Sequence, residues 1–277
     1  MKVRDNLLPN ATVRTKDHMV SSTKHIEDRF LAEVKHHLAG LQAKIDNDFS
    51  MKSYSEELAD LRGDPVYSAF ALDSAEYTLV RLMGRMSISI GRRLGEIYDK
   101  IPRYVAAARF NVSAATVAEK FEGLELDIGL RYRDLQDKAD VAHVKEQIRL
   151  LKGDPEKFSG IGIEIRYNFN PNDSSRLRKD CDMASHLIAE GLFPIYLIYS
   201  SISPRDEAIA RLKRAGWLFL AGKEASDFST RLFSIDFMAT MRNPAVWEPV
   251  QVEVRKIMRS LYQSTAFAQV GLSQRLA

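Results

Sequence analysis

Two stretches of strict alternation, followed by an unbroken apolar run, constrain this chain most. Leu124, Leu126, Ile128 and Leu130 alternate with Glu125, Asp127, Gly129 and Arg131. Ile161, Ile163, Ile165, Tyr167 and Phe169 alternate with Gly162, Glu164, Arg166 and Asn168. A period of two predicts a strand with one buried face. Behind the second strand, Leu177, Cys181, Ala184, Leu187 and Ile188 recur at helical spacing after a cap at Asn172 or Asp173, and Gly191 ends the segment. Phe193 to Tyr199 is then apolar throughout. That order predicts a helical crossover into a buried strand parallel to its predecessor.

The rest of the chain fits around this unit. Ile26, Phe30, Leu31, Val34, Leu38, Leu41 and Ile45 predict an amphipathic helix over 24–46 behind Ser22 or Thr23, and Ser53 with Glu56 resembles a capping box for a second helix. A long helix is expected from Ser74 to Lys100, with Gly84, Gly91 and Gly95 marking close packing. A helix from Ser203-Pro204 leads to a short strand, Trp217 to Ala221, and Val250 to Tyr262 reads as a C-terminal helix. The expectation is one α/β domain over 1–277: a mainly helical region at 1–120, an α/β core at 121–235 with a mixed central sheet flanked by helices, and a helical segment at 236–277.

Composition narrows the function. With 277 residues and a formal charge of +3, the chain builds its own core and tolerates a polyanionic partner without demanding one. The single Cys181 excludes an internal disulfide and a cysteine-based zinc site. With no long apolar run and no apolar leader, the expected location is the cytoplasm. The six histidines have no metal-ligand spacing, and neither G-x-G-x-x-G nor a P-loop pattern follows a strand. Ser200 to Ser203 reads as a loop ending in a helix cap.

If the two amphipathic strands pair, Asp127, Glu164 and Arg166 share the face opposite the apolar one. Two carboxylates on adjacent strands suffice to hold Mg²⁺, which keeps phosphate oxygens and water as its other ligands. The same pattern also describes two strands with solvated faces. Just beyond lies a loop and helix start rich in amides, hydroxyls and cations: Asn170, Asn172, Ser174, Ser175, Arg176, Arg178 and Lys179. Such groups suit phosphate oxygens and base edges.

The order Gly91-Arg92-Arg93-Leu94-Gly95-Glu96-Ile97-Tyr98, then Leu124-Glu125-Leu126-Asp127-Ile128, then Ile163-Glu164-Ile165-Arg166, then a helix and Pro194-Ile195-Tyr196-Leu197-Ile198 resembles the PD-(D/E)XK restriction endonucleases, most of all the ApaLI-type enzymes. The resemblance spans about residues 80–235. It implies a restriction-endonuclease-like core and a Mg²⁺-dependent homodimer that cleaves double-stranded DNA at a short palindrome. Asp127 is then the first acid, Glu164 the second and Glu96 a supporting acid, with Arg92 and Arg93 among the DNA-facing cations. One position departs: the lysine two residues after the second acid is here Arg166. An arginine stays protonated and supplies charge rather than base chemistry, so Lys179 or another lysine could take the other role.

A second class stays open. Val105 to Phe121 resembles a helix-turn-helix, with Asn111 at the turn and a second helix from Ser113, as in a DNA-binding regulator without nuclease activity. Its would-be recognition helix carries Ala114, Ala115, Thr116 and Glu119 and only Lys120 as a cation, a poor surface for phosphates.

Overall fold

The computed structural model describes residues 13–166, 174–200, 206–236 and 243–269. Four helices open the chain: α1 (Val13–Asp48), α2 (Met51–Gly63), α3 (Pro65–Ala69) and α4 (Ala75–Arg109). Ser50 caps α2 by accepting from the Ser53 N–H, three residues ahead of the expected Ser53 cap. Ser74 caps α4 in the same way through the Tyr77 N–H. The long helix does not stop before Pro102, as the sequence suggested, but continues to Arg109. Ile97, Ile101, Val105 and Ala106 form one buried stripe across the proline, and burying that stripe outweighs the backbone hydrogen bond lost at Pro102. The Gly84 expectation fails: a side chain there would meet open space within 4 Å.

After the one-turn α5 (Ala114–Val117), β1 (Lys120–Phe121) and β2 (Leu124–Glu125) form a two-residue antiparallel hairpin. Its turn places both Glu122 (φ 48°) and Gly123 (φ 86°) at positive φ, the geometry a two-residue hairpin prefers. β3 (Ile128–Arg131), α6 (Lys138–Leu150), β4 (Gly160–Arg166), α7 (Ser174–Ala189), β5 (Leu192–Ile198), α8 (Asp206–Arg214), β6 (Leu218–Ala221), α9 (Lys223–Phe233) and α10 (Pro244–Tyr262) follow. The sheet is mixed, in the order β3-β4-β5-β6: β3 runs antiparallel to β4, while β4, β5 and β6 run parallel. The expected parallel crossover through α7 is therefore present. Tyr167 to Phe169 and Ser203-Pro204 lie outside the described residues.

Helices cover both faces of this sheet. On one face, Ile128, Leu130, Ile161, Ile163, Ile165, Ile195 and Leu197 pack with residues of α1, α4, α6, α9 and α10. On the other, Tyr196 and Ile198 pack with Leu177, Met183, Ala184 and Leu187 of α7 and with Ala208 and Leu212 of α8. Gly162 permits the second contact, because a Cβ there would stand 2.6 Å from a Leu187 methyl. A third cluster joins the far ends of α1 and α4 to α2 and α10 through Leu41, Ile45, Tyr54, Leu82, Met86, Ile257 and Leu261. The helical first third is thus tied to the sheet by α4, whose C-terminal half packs on the strands.

Candidate active site at the C-terminal end of the second sheet strand

The first expected strand is in fact broken, and the break creates the site. Leu126 packs with the α7 side of the sheet, whereas Ile128 and Leu130 pack on the opposite side, so the alternation changes phase at Asp127. β3 and β4 pair through Ile128↔Ile163, and continuing that register by one residue sets Asp127 opposite Glu164. Asp127 leaves the backbone ladder there, and its Oδ2 accepts the Ile165 N–H at 2.7 Å in place of a main-chain carbonyl.

Asp127 and Glu164 are each only 6% exposed. The reading of two solvated strand faces therefore fails: α7 covers this side of the sheet. Both carboxylates instead line a cavity of about 450 Å³, with Arg103, Glu125, Arg166, Arg176, Lys179 and Asp180 among its other walls.

Arg166 organises the interior. Its Nη1 donates to the Ile165 carbonyl at 2.7 Å and to Asp127 Oδ2 at 3.4 Å. Its Nη2 donates to Glu164 Oε1 and, at 3.2 Å, to Asp180 Oδ1. From α4, Arg103 donates to Asp127 Oδ1 at 3.2 Å, to the Asp127 carbonyl at 2.9 Å and to Glu125 Oε1 at 2.6 Å. Both Asp127 oxygens thus have partners, Oδ1 a single one and Oδ2 two, whereas Glu164 Oε2 is buried without a hydrogen-bond partner.

The electrostatics follow from burial. Loss of water raises the Asp127 carboxyl above its ordinary value, against the pull of Arg166, the Ile165 N–H and Arg103. Burial pushes Glu164 well above the carboxylate range; Arg166 opposes the shift, and the charges of Asp127 and Asp180 add to it. Burial disfavours the charge on Arg166, but Glu164, Tyr196, Asp127 and Asp180 outweigh it and hold the guanidinium firmly protonated. Two carboxyls pushed upward around one cavity, one with an orphaned oxygen, make a site that gains from a further cation.

That donor set fits Mg²⁺. Asp127 and Glu164 offer hard oxygen ligands, and such an ion needs only one or two carboxylates when phosphate and water complete its shell. Among the described residues, no group of three or more acids, histidines or cysteines is arranged to hold a metal, so an ion here would have the two carboxylates and no closed cage. Asp180 is already committed to Arg166 and to the Tyr196 hydroxyl.

The other expected site residues divide. Ser175, Arg176 and Lys179 line the cavity. Arg178 is exposed on α7 and is not among the lining residues, and Ser174 opens that helix. Asn170 and Asn172 lie outside the described residues. Glu96 does not reach the cavity: it pairs with Arg92 at 3.0 Å and with His37 at 3.4 Å. The α4 residue at the site is Arg103, seven positions further on, which is about 10 Å along a helix. Arg92 projects into solvent beside Glu96, and Arg93 lies across Gly40 of α1. The would-be recognition helix is the single turn of α5, and its Val117 is buried.

Sequence reasoning passed over Arg103, Asp180 and Tyr196. The signal for Asp180 was present: Leu177, Asp180, Ala184 and Leu187 share the buried stripe of α7, whereas Ile188, expected on it, is 49% exposed. An acid on an apolar stripe announces a buried partner. Arg103 carried no local mark, because its role depends on α4 continuing past Pro102. Comparison with protein-family models, with curated proteins and with solved structures finds no match to this chain.

Proposed function

We propose that the chain is a Mg²⁺-dependent endonuclease acting on double-stranded DNA, with Asp127 and Glu164 as the metal-holding carboxylates and the cavity as the cleavage site. One observation carries this reading: two buried carboxylates from adjacent strands face one cavity, and a Glu164 oxygen is left without a partner. A purely structural ion cluster has no use for that orphan, nor for a cavity whose wall continues into Arg176 and Lys179. The mixed sheet, with an antiparallel first pair and a parallel crossover, supports the restriction-endonuclease-like core that the motif order resembles.

Bound at Asp127 and Glu164, Mg²⁺ would supply charge for the phosphate oxygens and a source of hydroxide near neutral pH. The chain's own groups do the rest. Arg166 stays protonated and is placed to offset negative charge that grows on the phosphate during in-line displacement. Arg103 holds Asp127 in place through its side chain and its carbonyl. Arg176 and Lys179 supply cations for phosphates on either side of the scissile one. As in the enzymes it resembles, the protein then acts as a cytoplasmic homodimer at a short palindromic site, the pattern of a type II restriction enzyme. The regulator reading is less well supported, since α5 is one turn long and its Val117 is buried in the core. Incubation with plasmid DNA, with and without Mg²⁺, tests the proposal: discrete fragments with the metal support a sequence-specific endonuclease, and an uncut plasmid refutes it.

A further inference from the structure

Asp180 in the cavity wall and Tyr196 behind it are two polar side chains that cleavage itself does not use. Asp180 is 5% exposed and Tyr196 is fully buried. Asp180 Oδ1 accepts from Arg166 Nη2 at 3.2 Å, and its Oδ2 accepts from the Tyr196 hydroxyl at 2.7 Å. The Asp180 backbone carbonyl accepts from the Trp217 indole N–H at 2.7 Å, which fixes this turn of α7 against the start of β6. The Arg166 guanidinium carbon also stands 5.8 Å from the centre of the Tyr196 ring. Tyr196 is in turn held by Trp217 edge-on at 5.3 Å and by Phe219 stacked at 5.4 Å.

We infer that Asp180 and Tyr196 are positioning residues for Arg166. Without them the guanidinium could turn about its Cδ–Nε bond and satisfy Glu164 or Asp127 singly. With them its two terminal nitrogens are distributed over both metal-holding carboxylates and Asp180 at once. Asp180 sits where the helix pattern calls for an apolar residue, and the Tyr196 hydroxyl keeps its second oxygen from turning away. The catalytic part of this inference rests on the proposed function, in which Arg166 meets the scissile phosphate in one orientation.

The test uses Asp180→Asn, which keeps shape and removes charge, and Tyr196→Phe, which removes only the hydroxyl. Each should lower kcat about 10- to 100-fold, the scale for losing a partner that orients a site ligand, while KM for DNA stays within about 2-fold. In an Arg166→Lys background the same substitutions should cost less than about 2-fold further, since residues acting as one unit are not additive. Independently of activity, the side-chain Nε–H signal of Arg166 in ¹H–¹⁵N spectra should move or broaden in both variants. Equal losses with and without Arg166→Lys, or an Arg166 signal unchanged in both, overturn the inference. If the wild-type protein cuts no DNA, the proposed function fails, and the Arg166 signal alone decides the positioning.

Discussion

Arg166→Ala is the substitution whose outcome the structure fixes most tightly. The guanidinium side chain is 13% exposed and is shared by three carboxylates that are each 8% exposed or less. Removing it leaves Asp127 with Arg103 and the Ile165 N–H, and Asp180 with the Tyr196 hydroxyl. Glu164 loses the guanidinium that balances it. Stripping one partner from a buried ion pair costs about 3–5 kcal/mol, because the remaining charge is uncompensated. The cost depends on pH with a definite sign. Arg166 is what holds the Glu164 carboxyl down against burial, so its loss raises that carboxyl further and the group escapes by taking a proton. Urea denaturation followed by circular dichroism should therefore show a loss that reaches about 3–5 kcal/mol at the higher pH of a series and shrinks toward the lower. Arg166→Lys keeps the charge but offers one nitrogen to several acceptors, and should fall between the two. An alanine variant within about 0.5 kcal/mol of the parent at the higher pH, the range of an ordinary surface change, would falsify the counter-ion role. So would a loss that grows on acidification.

Further outcomes follow from the same geometry. Neutralising Arg176 or Lys179, which line the cavity, should reduce the salt dependence of DNA binding by about one unit of slope, while Arg178→Ala should leave it unchanged; binding titrations over a salt series decide, and three equal slopes count against the cavity as the phosphate path. Because Asp127 and Glu164 are raised above the unfolded value of about 4, the metal-free folded state binds more protons than the unfolded one just above that pH. Metal-free stability should thus fall as pH rises through that window, and Glu164→Gln should flatten the fall; a slope untouched by the substitution assigns it elsewhere. Gly162→Ala drives a methyl to 2.6 Å from Leu187 and should cost about 1–3 kcal/mol in denaturant titrations, and a neutral result would show that α7 can shift.

Much of the architecture was legible because hydrophobic burial writes its period into the chain. The apolar run from Phe193 to Tyr199 read as a buried strand, and the strand formed, Leu192–Ile198, is parallel to β4 as expected of a helical crossover. The two carboxylates were legible as a pair because each sits on the non-apolar face of an alternating strand pattern. The missed features depend on interactions that local pattern does not encode. The phase change at Asp127 accompanies a carboxylate standing in for a ladder carbonyl. The burial of Glu164 follows from α7 lying over Gly162. Glu96 pointed to the right helix but the wrong turn of it, since α4 reaches the cavity only beyond a proline that normally ends a helix.

In the proposed function, Asp127 and Glu164 together hold the metal that cleaves DNA. The measurement closest to it compares the parent protein with Asp127→Ala and Glu164→Ala on supercoiled plasmid in Mg²⁺, alongside a filter-binding assay of the same proteins. Discrete fragments are expected from the parent only, with both variants still retaining DNA, because a metal ligand is lost and the phosphate-contacting cations remain. Cleavage by either variant at a rate near that of the parent would contradict it, and would move the metal to a different pair of acids.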